Sequence, residues 1–316
     1  MSGNVEQLCA LAQDLIENIS SVILGKREIV IKTVAAVLAE GNVLFEDVPG
    51  VGKTMLCRAL AGSISGNFSR VQCTPDLLPS DLLGTTIYEK RTESFKFHPG
   101  PVFSNVLLAD EINRAAPKMQ SALLECMEEH QVSTGGKTYR LPEPFIVIAT
   151  QNPIEYEGTF PLPEAQLDRF TMRLSLGYPD KDSELRMLKE QLEQHPIGKM
   201  KPICDTGVIL KAIHAVRRLH ISDALMAYIV GITTATRNES SILLGASPRA
   251  SQALCRAAQA MAAIDGRDYV LPDDIQAVTF EVLAHRMIWQ GGSGDRGASE
   301  RQQEAINSLL RKVPVP

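Results

Sequence analysis

The sequence lacks paired cysteines, a long apolar run and an excess of basic charge. Its six cysteines are scattered. None forms a Cys-x-x-Cys pair or has a histidine at zinc-ligand spacing, which argues against a structural zinc site and favours reduced thiols. Charges, Gly or Pro interrupt every apolar run before it is long enough to cross a bilayer. The first ten residues lack the basic and apolar stretches of a signal peptide, so we expect a cytoplasmic protein.

Acidic residues outnumber basic ones, 37 Asp and Glu against 32 Lys and Arg, so the net charge is −5. Such a chain has no global basic field to neutralise phosphates. Nucleic acid is therefore a poor default partner, although a local basic patch stays open. Hydrophobic residues make up 44% and charged residues 22% of the 316 positions, as is typical of a folded chain. This length favours two domains.

The first part of the chain, residues 1–179, has the pattern of an α/β domain with a parallel sheet. Two polar segments, Gly84 to Pro101 and Gln131 to Pro144, interrupt this pattern and are predicted to form inserted hairpins. Short apolar runs predict buried strands at Val43 to Phe45, Phe68 to Cys73, Val106 to Ala109 and Phe145 to Thr150.

The second part, residues 180–316, is rich in Ala, Leu, Met and charged residues with helical periodicity, which predicts an all-α domain. Ser247 followed by Pro248 is a helix start signal, and acids after Pro272 mark another. The predicted helices are Lys181 to Gln194, Thr206 to Arg217, Asp223 to Arg237, Pro248 to Ile264, Pro272 to Ala284 and Ala298 to Lys312.

A predicted strand, a glycine-rich turn and a helix start follow one another from residue 43 onwards. Gly50 and Gly52 let the backbone curl so that its N–H groups can point at phosphate oxygens. Lys53 can supply a charge to the β and γ phosphates, and the Thr54 hydroxyl can ligate Mg²⁺. Asp47 stands where the strict pattern Gly-x-x-x-x-Gly-Lys-Ser/Thr has its first Gly, and we expect it to tolerate an unusual backbone angle. The turn therefore predicts a triphosphate site.

A second predicted strand ends in two acids, Asp110 and Glu111. In a parallel sheet its carboxyl end lies beside the phosphate loop. Asp110 can then hold Mg²⁺ through water, and Glu111 can polarise a water for attack on the γ phosphate.

Three further polar residues are candidates for the same chemistry. Asn152 follows the strand that ends at Thr150, where it could hydrogen-bond the attacking water or the γ phosphate. Arg169 follows an acidic helix, a position where a surface ion pair is the more common role. Arg249 lies in the first turn of a predicted helix, where a cation opposes the helix dipole, so we expect it to have an anionic partner.

Five elements in this order resemble the MoxR family of AAA+ ATPases, and the resemblance extends from Gly25-Lys26 to about Arg286. Each motif alone is modestly specific, whereas the ordered set is highly specific. The elements are Asp47-Val48-Pro49-Gly50-Val51-Gly52-Lys53-Thr54, Asp110-Glu111-Ile112-Asn113-Arg114, Ala149-Thr150-Gln151-Asn152-Pro153, Leu167-Asp168-Arg169-Phe170 and Ala246-Ser247-Pro248-Arg249.

The resemblance implies a role for each matching residue. Asn152 matches sensor 1, which positions the attacking water with Glu111. Arg169 falls on the arginine finger, which reaches the nucleotide of a neighbouring subunit, and Arg249 falls on sensor 2, which contacts the γ phosphate from a helical lid. Lys53 and Thr54 match Walker A and Asp110 and Glu111 match Walker B. The nucleotide contacts are expected at Pro49, Gly50, Val51, Gly52, Lys53, Thr54 and Met55, with Ile23, Gly25 and Lys26 near the adenine.

The resemblance also implies what the ATPase does. The family commonly forms hexameric rings, binds ATP with Mg²⁺, and is associated with von Willebrand factor A (VWA) domain proteins and with chaperone-like maturation of other complexes. The two hairpins would face the pore of such a ring. Tyr88, Phe95 or Phe97 could grip a protein client there, or could simply pack the hairpins.

Other functions stay open at this point. The alternative on the same core is a nucleic-acid-dependent motor or loader, for which Lys90, Arg91 and Lys96 could line the pore. A binding module that merely switches with nucleotide is disfavoured because Glu111 and Asn152 are both present. A GTPase is disfavoured because no Asn-Lys-x-Asp motif occurs.

Overall fold

The structure is a computed structural model that describes residues 2–91, 93–152, 158–193, 196–290 and 297–316. Pro153 and Gln194, which belong to a motif and a helix named above, lie outside these residues. The helices are α1 Ser2–Ser20, α2 Arg27–Leu38, α3 Lys53–Ser63, α4 Pro79–Leu83, α5 Pro117–Glu129, α6 Glu164–Leu167, α7 Lys181–Glu193, α8 Thr206–Val216, α9 Asp223–Arg237, α10 Pro248–Ile264, α11 Pro272–Leu283 and α12 Ala298–Lys312. The strands are β1 Val43–Glu46, β2 Phe68–Gln72, β3 Gly84–Glu89, β4 Ser94–Pro99, β5 Val106–Asp110, β6 Gln131–Thr134, β7 Lys137–Arg140, β8 Ile146–Gln151, β9 Met172–Leu174, β10 Ile242–Leu244 and β11 Ile288–Trp289.

Among the described residues, a five-stranded parallel sheet in the order β2-β5-β8-β1-β9 forms the centre of the α/β part. Its strands are apolar at successive positions because both faces are covered: Val43 and Phe45 point into one core, and Leu44 points into the other. The four predicted strands are confirmed to within one residue at either end, whereas the short strand β9 was not predicted. In this order the carboxyl ends of β1, β5 and β8 lie side by side.

Both predicted hairpins are confirmed, with β3 paired to β4 and β6 paired to β7. Their aromatic side chains divide into two groups. Tyr88 and Phe95 form an exposed edge-to-face pair with ring centroids 5.2 Å apart. Phe97 of the first hairpin stacks on Tyr139 of the second, with centroids 4.2 Å apart. The two hairpins therefore contact each other through one stacked pair.

The predicted helices from residue 181 onwards are confirmed in the described residues, and α9, α10 and α12 have the predicted bounds. Helix α10 begins at Pro248 after Ser247 and buries Ala250, Leu254, Ala257 and Ala258, which share one face because they follow the helical repeat. The larger core continues from one face of the sheet into these helices. The division of the chain near residue 180 stays a prediction.

Helices α1 and α2 were not predicted; both pack against α10, and α1 also packs against α3. Within the described part of the chain, no helix is both long enough and apolar enough to span a bilayer.

Candidate functional site

The loop between β1 and α3 has the backbone that its glycines predicted. Gly50 and Gly52 have φ angles of 85° and 100°, a left-handed region that a side chain would strain, and Gly52 caps the N-terminus of α3. The free N–H groups of that helix end therefore border the loop, as anion binding requires. The expectation about Asp47 is wrong, because Asp47 is not among the described residues with positive φ.

Lys53 is buried at the mouth of this loop. Its Nζ donates hydrogen bonds to the carbonyl oxygens of Asp47 at 3.1 Å and of Val48 at 3.0 Å. Burial lowers the pKa of the Lys53 amine from its ordinary value, and the charges of Asp47, Asp110 and Glu111 oppose that change. The amine thus lies among acids and backbone acceptors, where a bound phosphate would give it a stronger partner.

Asp110 and Glu111 are held in place by one hydroxyl group. Thr150 Oγ1 donates to Asp110 Oδ1 at 2.6 Å and accepts a hydrogen bond from the Glu111 backbone N–H at 2.8 Å. Glu111 has a φ of 57°, uncommon for a residue with a side chain, and its carboxylate pairs with Arg114 at 3.0 Å. The Thr150 hydroxyl therefore connects the ends of β5 and β8, although no role had been predicted for it.

These groups line one cavity of about 370 Å³. Asn152, which is 8% exposed, reaches it from the end of β8, and Arg70 reaches it from β2, where it pairs with Asp110 at 2.7 Å. No role had been predicted for Arg70 either. The lining residues are Asp47, Pro49, Gly50, Gly52, Lys53, Thr54, Arg70, Asp110, Glu111, Thr150, Gln151 and Asn152.

The donor set of this cavity fits Mg²⁺. Thr54 and Asp110 offer hard oxygen donors, which this ion prefers together with water and phosphate oxygens. Both carboxylate oxygens of Asp110 already accept hydrogen bonds, from Thr150 and Arg70, so Asp110 would act on the ion through water.

A second cavity of about 320 Å³ adjoins the first, and the two share Pro49, Gly50 and Gly52. Ile23 and Lys26, which we expect near the adenine, line it together with Val51 and Met55, which we expect among the nucleotide contacts. Gly25 does not line it, because it lies against the start of α7, where an added Cβ would be 2.3 Å from Ser183 Oγ. The remaining lining residues, which had not been predicted, are Val22, Leu24, Gly177, Tyr178, Pro179, Glu184 and Met187.

Arg169 and Arg249 do not line either of these cavities. They lie together in a third cavity of about 450 Å³, where both pair with the carboxylate of Glu128 at the end of α5. The Arg169 contact joins Nη2 to Oε2 at 3.1 Å, while its Nε is buried without a partner. Glu128 is thus both the ion-pair partner of Arg169 and the anionic partner expected for Arg249.

Residues of the helical part fix the segment that carries Arg169. Arg286 Nε donates to Asp168 Oδ1 at 2.9 Å, and its guanidinium also donates to the carbonyl oxygens of Phe170 and Thr171. Burial lowers the pKa of Arg286 to about 10, against the opposing charge of Asp168. Ser247 Oγ donates to Asp168 Oδ2 at 2.9 Å. Asp168 therefore joins the Arg169 segment to the residues that precede Arg249.

Comparisons with known proteins match nearly the whole chain. Residues 42–172 match the model of the ATPase family associated with various cellular activities (AAA), and residues 234–308 match the AAA lid domain. The YeaC protein of Bacillus subtilis is 49% identical over 312 residues, which cover 98% of this chain and 97% of YeaC. Chaperone MoxR1 of Mycobacterium tuberculosis is 42% identical over 327 residues, which cover 99% of this chain and 85% of MoxR1. A crystal structure from Cytophaga hutchinsonii has a TM-score of 0.90 at 41% identity and covers 99% of this chain and 97% of its own.

Proposed function

The chain belongs to the MoxR family of AAA+ ATPases, and from this premise we propose that it hydrolyses ATP in a ring of identical subunits to remodel or mature protein clients. The observation that carries the proposal is that Lys53, Thr54, Asp110, Glu111 and Asn152 line one cavity. These groups combine charge for a triphosphate with a carboxylate that can activate water. The resemblance adds a hexameric ring and a VWA-domain partner to the proposal.

Each side chain of the cavity has a distinct part in the proposed reaction. Lys53 leaves the carbonyl oxygens of the loop and binds the β and γ phosphates. Glu111 accepts a proton from the water that attacks the γ phosphorus, and Asn152 orients that water. Mg²⁺, held by Thr54 and through water by Asp110, would neutralise charge on the phosphate oxygens.

We propose that the arginines act on a different nucleotide from the one bound by Lys53 of their own subunit. Arg169 and Arg249 are outside the cavity of Lys53 in their own subunit, and they point into a cavity shared with Glu128. We therefore assign both to the site of the neighbouring subunit, which extends the expectation for Arg169 to Arg249. Two guanidinium groups would then stabilise the charge that develops on the γ phosphate.

The first hairpin supplies the proposed contact with the client. Phe95 is 74% exposed and Tyr88 is 49% exposed, so these two rings are accessible to a polypeptide. Phe97 stacks on Tyr139 and therefore holds the hairpin in place. Lys96 pairs with Glu89, which neutralises one of the basic residues that a nucleic-acid motor would use.

ATP turnover measured together with the assembly state tests the proposal. We expect ATP-dependent phosphate release and ring particles when an ATP analogue is bound. Addition of a chemically unfolded model protein should change the turnover, whereas single-stranded DNA should not. A chain that stays monomeric with nucleotide, or whose turnover responds to DNA with a steep salt dependence, would contradict the proposal.

A further inference from the structure

Asp47 places a carboxylate inside the phosphate loop. The residue lines the cavity of Lys53 and is 5% exposed. A negative charge at this place repels a bound triphosphate, and the strict loop pattern has Gly here. Because Asp47 is not among the described residues with positive φ, a left-handed backbone in the loop does not explain the residue.

The contacts of this carboxylate lie on the other side of the loop. Asp47 Oδ1 accepts hydrogen bonds from Ser175 Oγ at 2.9 Å and from the Gly177 backbone N–H at 3.0 Å. Its Oδ2 accepts a hydrogen bond from the Leu176 backbone N–H at 2.5 Å. Three consecutive residues are therefore bound to one side chain, and hydrogen bonds to an ionised acceptor are the strong ones.

The segment that Asp47 holds leads directly into the wall of the second cavity. Gly177 lines that cavity with a φ of 60°, and Tyr178 and Pro179 follow it there. Lys26, which also lines this cavity, donates from Nζ to the Tyr178 carbonyl oxygen at 2.7 Å. Asp47 thus lines the phosphate cavity, while its carboxylate accepts hydrogen bonds from the segment that leads into the wall of the base cavity.

We infer that Asp47 is a positioning residue for the nucleotide base. By holding residues 175–177 it sets the distance between the phosphate loop and the wall formed by Tyr178 and Pro179, so that base and phosphates are bound as one rigid ligand. The inference rests on the proposed function, since it requires ATP to occupy both cavities. The repulsion between the Asp47 carboxylate and the phosphates is offset by the tighter binding of the base.

The experiment compares two probes, ATP and inorganic tripolyphosphate, at one Mg²⁺ concentration. Asp47→Asn keeps the size of the side chain, but its amide nitrogen cannot accept a hydrogen bond, so the segment loses part of its support. We expect ATP affinity to fall about tenfold. Tripolyphosphate reaches only the phosphate cavity, and its affinity should stay unchanged or rise because a negative charge has been removed.

Two further variants keep the test independent of folding defects. Ser175→Ala removes one donor and leaves the loop intact, so ATP affinity should fall about threefold with tripolyphosphate unaffected. Asp47→Gly makes the loop match the strict pattern, yet it should weaken ATP as Asp47→Asn does. Thermal unfolding of each variant identifies any that do not fold.

The outcomes separate the inference from the proposed function. A selective loss of ATP affinity in Asp47→Asn and Ser175→Ala supports the inference. Equal losses for both probes, or no loss in any folded variant, would overturn it while leaving ATP binding by the natural chain intact. A natural chain that binds tripolyphosphate but gains nothing from the adenosine part of ATP would overturn the inference and the proposed function together.

Discussion

Arg286 and Asp168 form an ion pair inside the protein, with 2.9 Å between Nε and Oδ1 and side chains that are 3% and 16% exposed. Asp168 directly precedes Arg169, while Arg286 follows α11 in the helical part. The pair therefore makes the position of Arg169 depend on the position of the helices. Ser247, two residues before Arg249, donates a hydrogen bond to the same carboxylate. Asp168 therefore fixes the positions of the segments that carry Arg169 and Arg249.

Replacement of Arg286 by Met should destabilise the protein strongly. The substitution removes the charged donor from Asp168 Oδ1 and one donor from each of several carbonyl oxygens, and breaking one side of such a pair costs about 3 kcal/mol or more. Urea unfolding measures the loss. Arg256→Met is the matched control, because Arg256 lines the same cavity of about 450 Å³ as Arg286 but is exposed. It should change the free energy of unfolding by less than about 0.5 kcal/mol. Equal effects of the two substitutions would contradict the assignment.

Glu111→Gln should separate nucleotide binding from hydrolysis. The amide cannot take a proton from water, so we expect kcat to fall by about 10² to 10⁴, while ATP affinity stays close to that of the natural chain. Single-turnover phosphate release and equilibrium ATP binding are the two measurements. Natural turnover in this variant would remove Glu111 from the proposed reaction.

Rings mixed from two inactive variants should regain activity. Arg169→Ala subunits keep an intact Lys53, and Lys53→Ala subunits keep both arginines. A complete site therefore forms wherever a Lys53→Ala subunit supplies its arginines to the nucleotide bound by an Arg169→Ala subunit. In a random one-to-one mixture about a quarter of the interfaces have this order, so we expect ATP turnover of up to about a quarter of that of the natural ring.

The position of Arg249 beside Arg169 adds a further test to the mixing experiment. Arg249→Ala should be rescued by Lys53→Ala subunits in the same way, because both arginines pair with Glu128. Arg218→Ala, a substitution of an exposed arginine outside that cavity, should need no rescue. Recovery for Arg169→Ala without recovery for Arg249→Ala would show that Arg249 does not act across the interface.

Thr150→Val should reduce turnover more than ATP affinity. The substitution keeps the shape of the side chain but removes the hydroxyl that joins Asp110 to the Glu111 backbone, and the partly buried Glu111 N–H then loses its acceptor. We expect a loss of about 1 to 2 kcal/mol in stability and about tenfold in kcat. Thr150→Ser retains the hydroxyl and should behave like the natural chain. If the Ser variant were as defective as the Val variant, the methyl group and not the hydroxyl would be responsible.

His285 should make the protein less stable in mild acid. Burial, followed by the charge of Arg286, lowers the pKa of this imidazole well below 6.5 in the folded state. The unfolded chain therefore takes up a proton below about pH 6.5 that the folded chain does not. Stability from this source is complete above that pH and is lost as the pH falls, by at most about 2 kcal/mol between pH 7 and pH 5.

Unfolding measured across that pH range, with His285→Gln as the non-titrating variant, checks the origin of the loss. The glutamine can still donate to the Phe170 carbonyl oxygen, which His285 Nε2 contacts at 2.9 Å. The pH dependence should shrink by the amount that one proton accounts for. His214→Gln, at an exposed position on α8, should leave it unchanged. A slope that survives in His285→Gln would place its origin elsewhere.

Local patterns predicted the elements of the fold because those patterns report periodicity and termini. Helix α10 was predicted to the residue, since Ser247 and Pro248 mark its start and alanines continue it. The strand that ends at Asp110 was equally clear, because its consecutive apolar residues face alternate sides of the sheet and both sides must then be buried. Strand β9 has three residues, too few for any periodicity to be visible.

The missing parts of the site are contacts between distant residues. Glu128 contacts Arg249 across 121 positions and Asp47 contacts Gly177 across 130, and no local pattern reports which distant side chains meet. In the sequence, Glu128 is one acid in an ordinary amphipathic helix. The dipole argument did predict an anionic partner for Arg249, but it could not say that a carboxylate of the same subunit provides one.

The stacking of Phe97 on Tyr139 joins the two hairpins into one unit. Its outer end carries the exposed rings of Tyr88 and Phe95, and its inner end is β6, which begins two residues after α5 ends. Glu128 lies in that last turn of α5 and holds both arginines. In the proposed reaction the arginines leave this carboxylate to reach a neighbour's phosphate, so a load applied at the hairpin tip would act on the contacts that have to break.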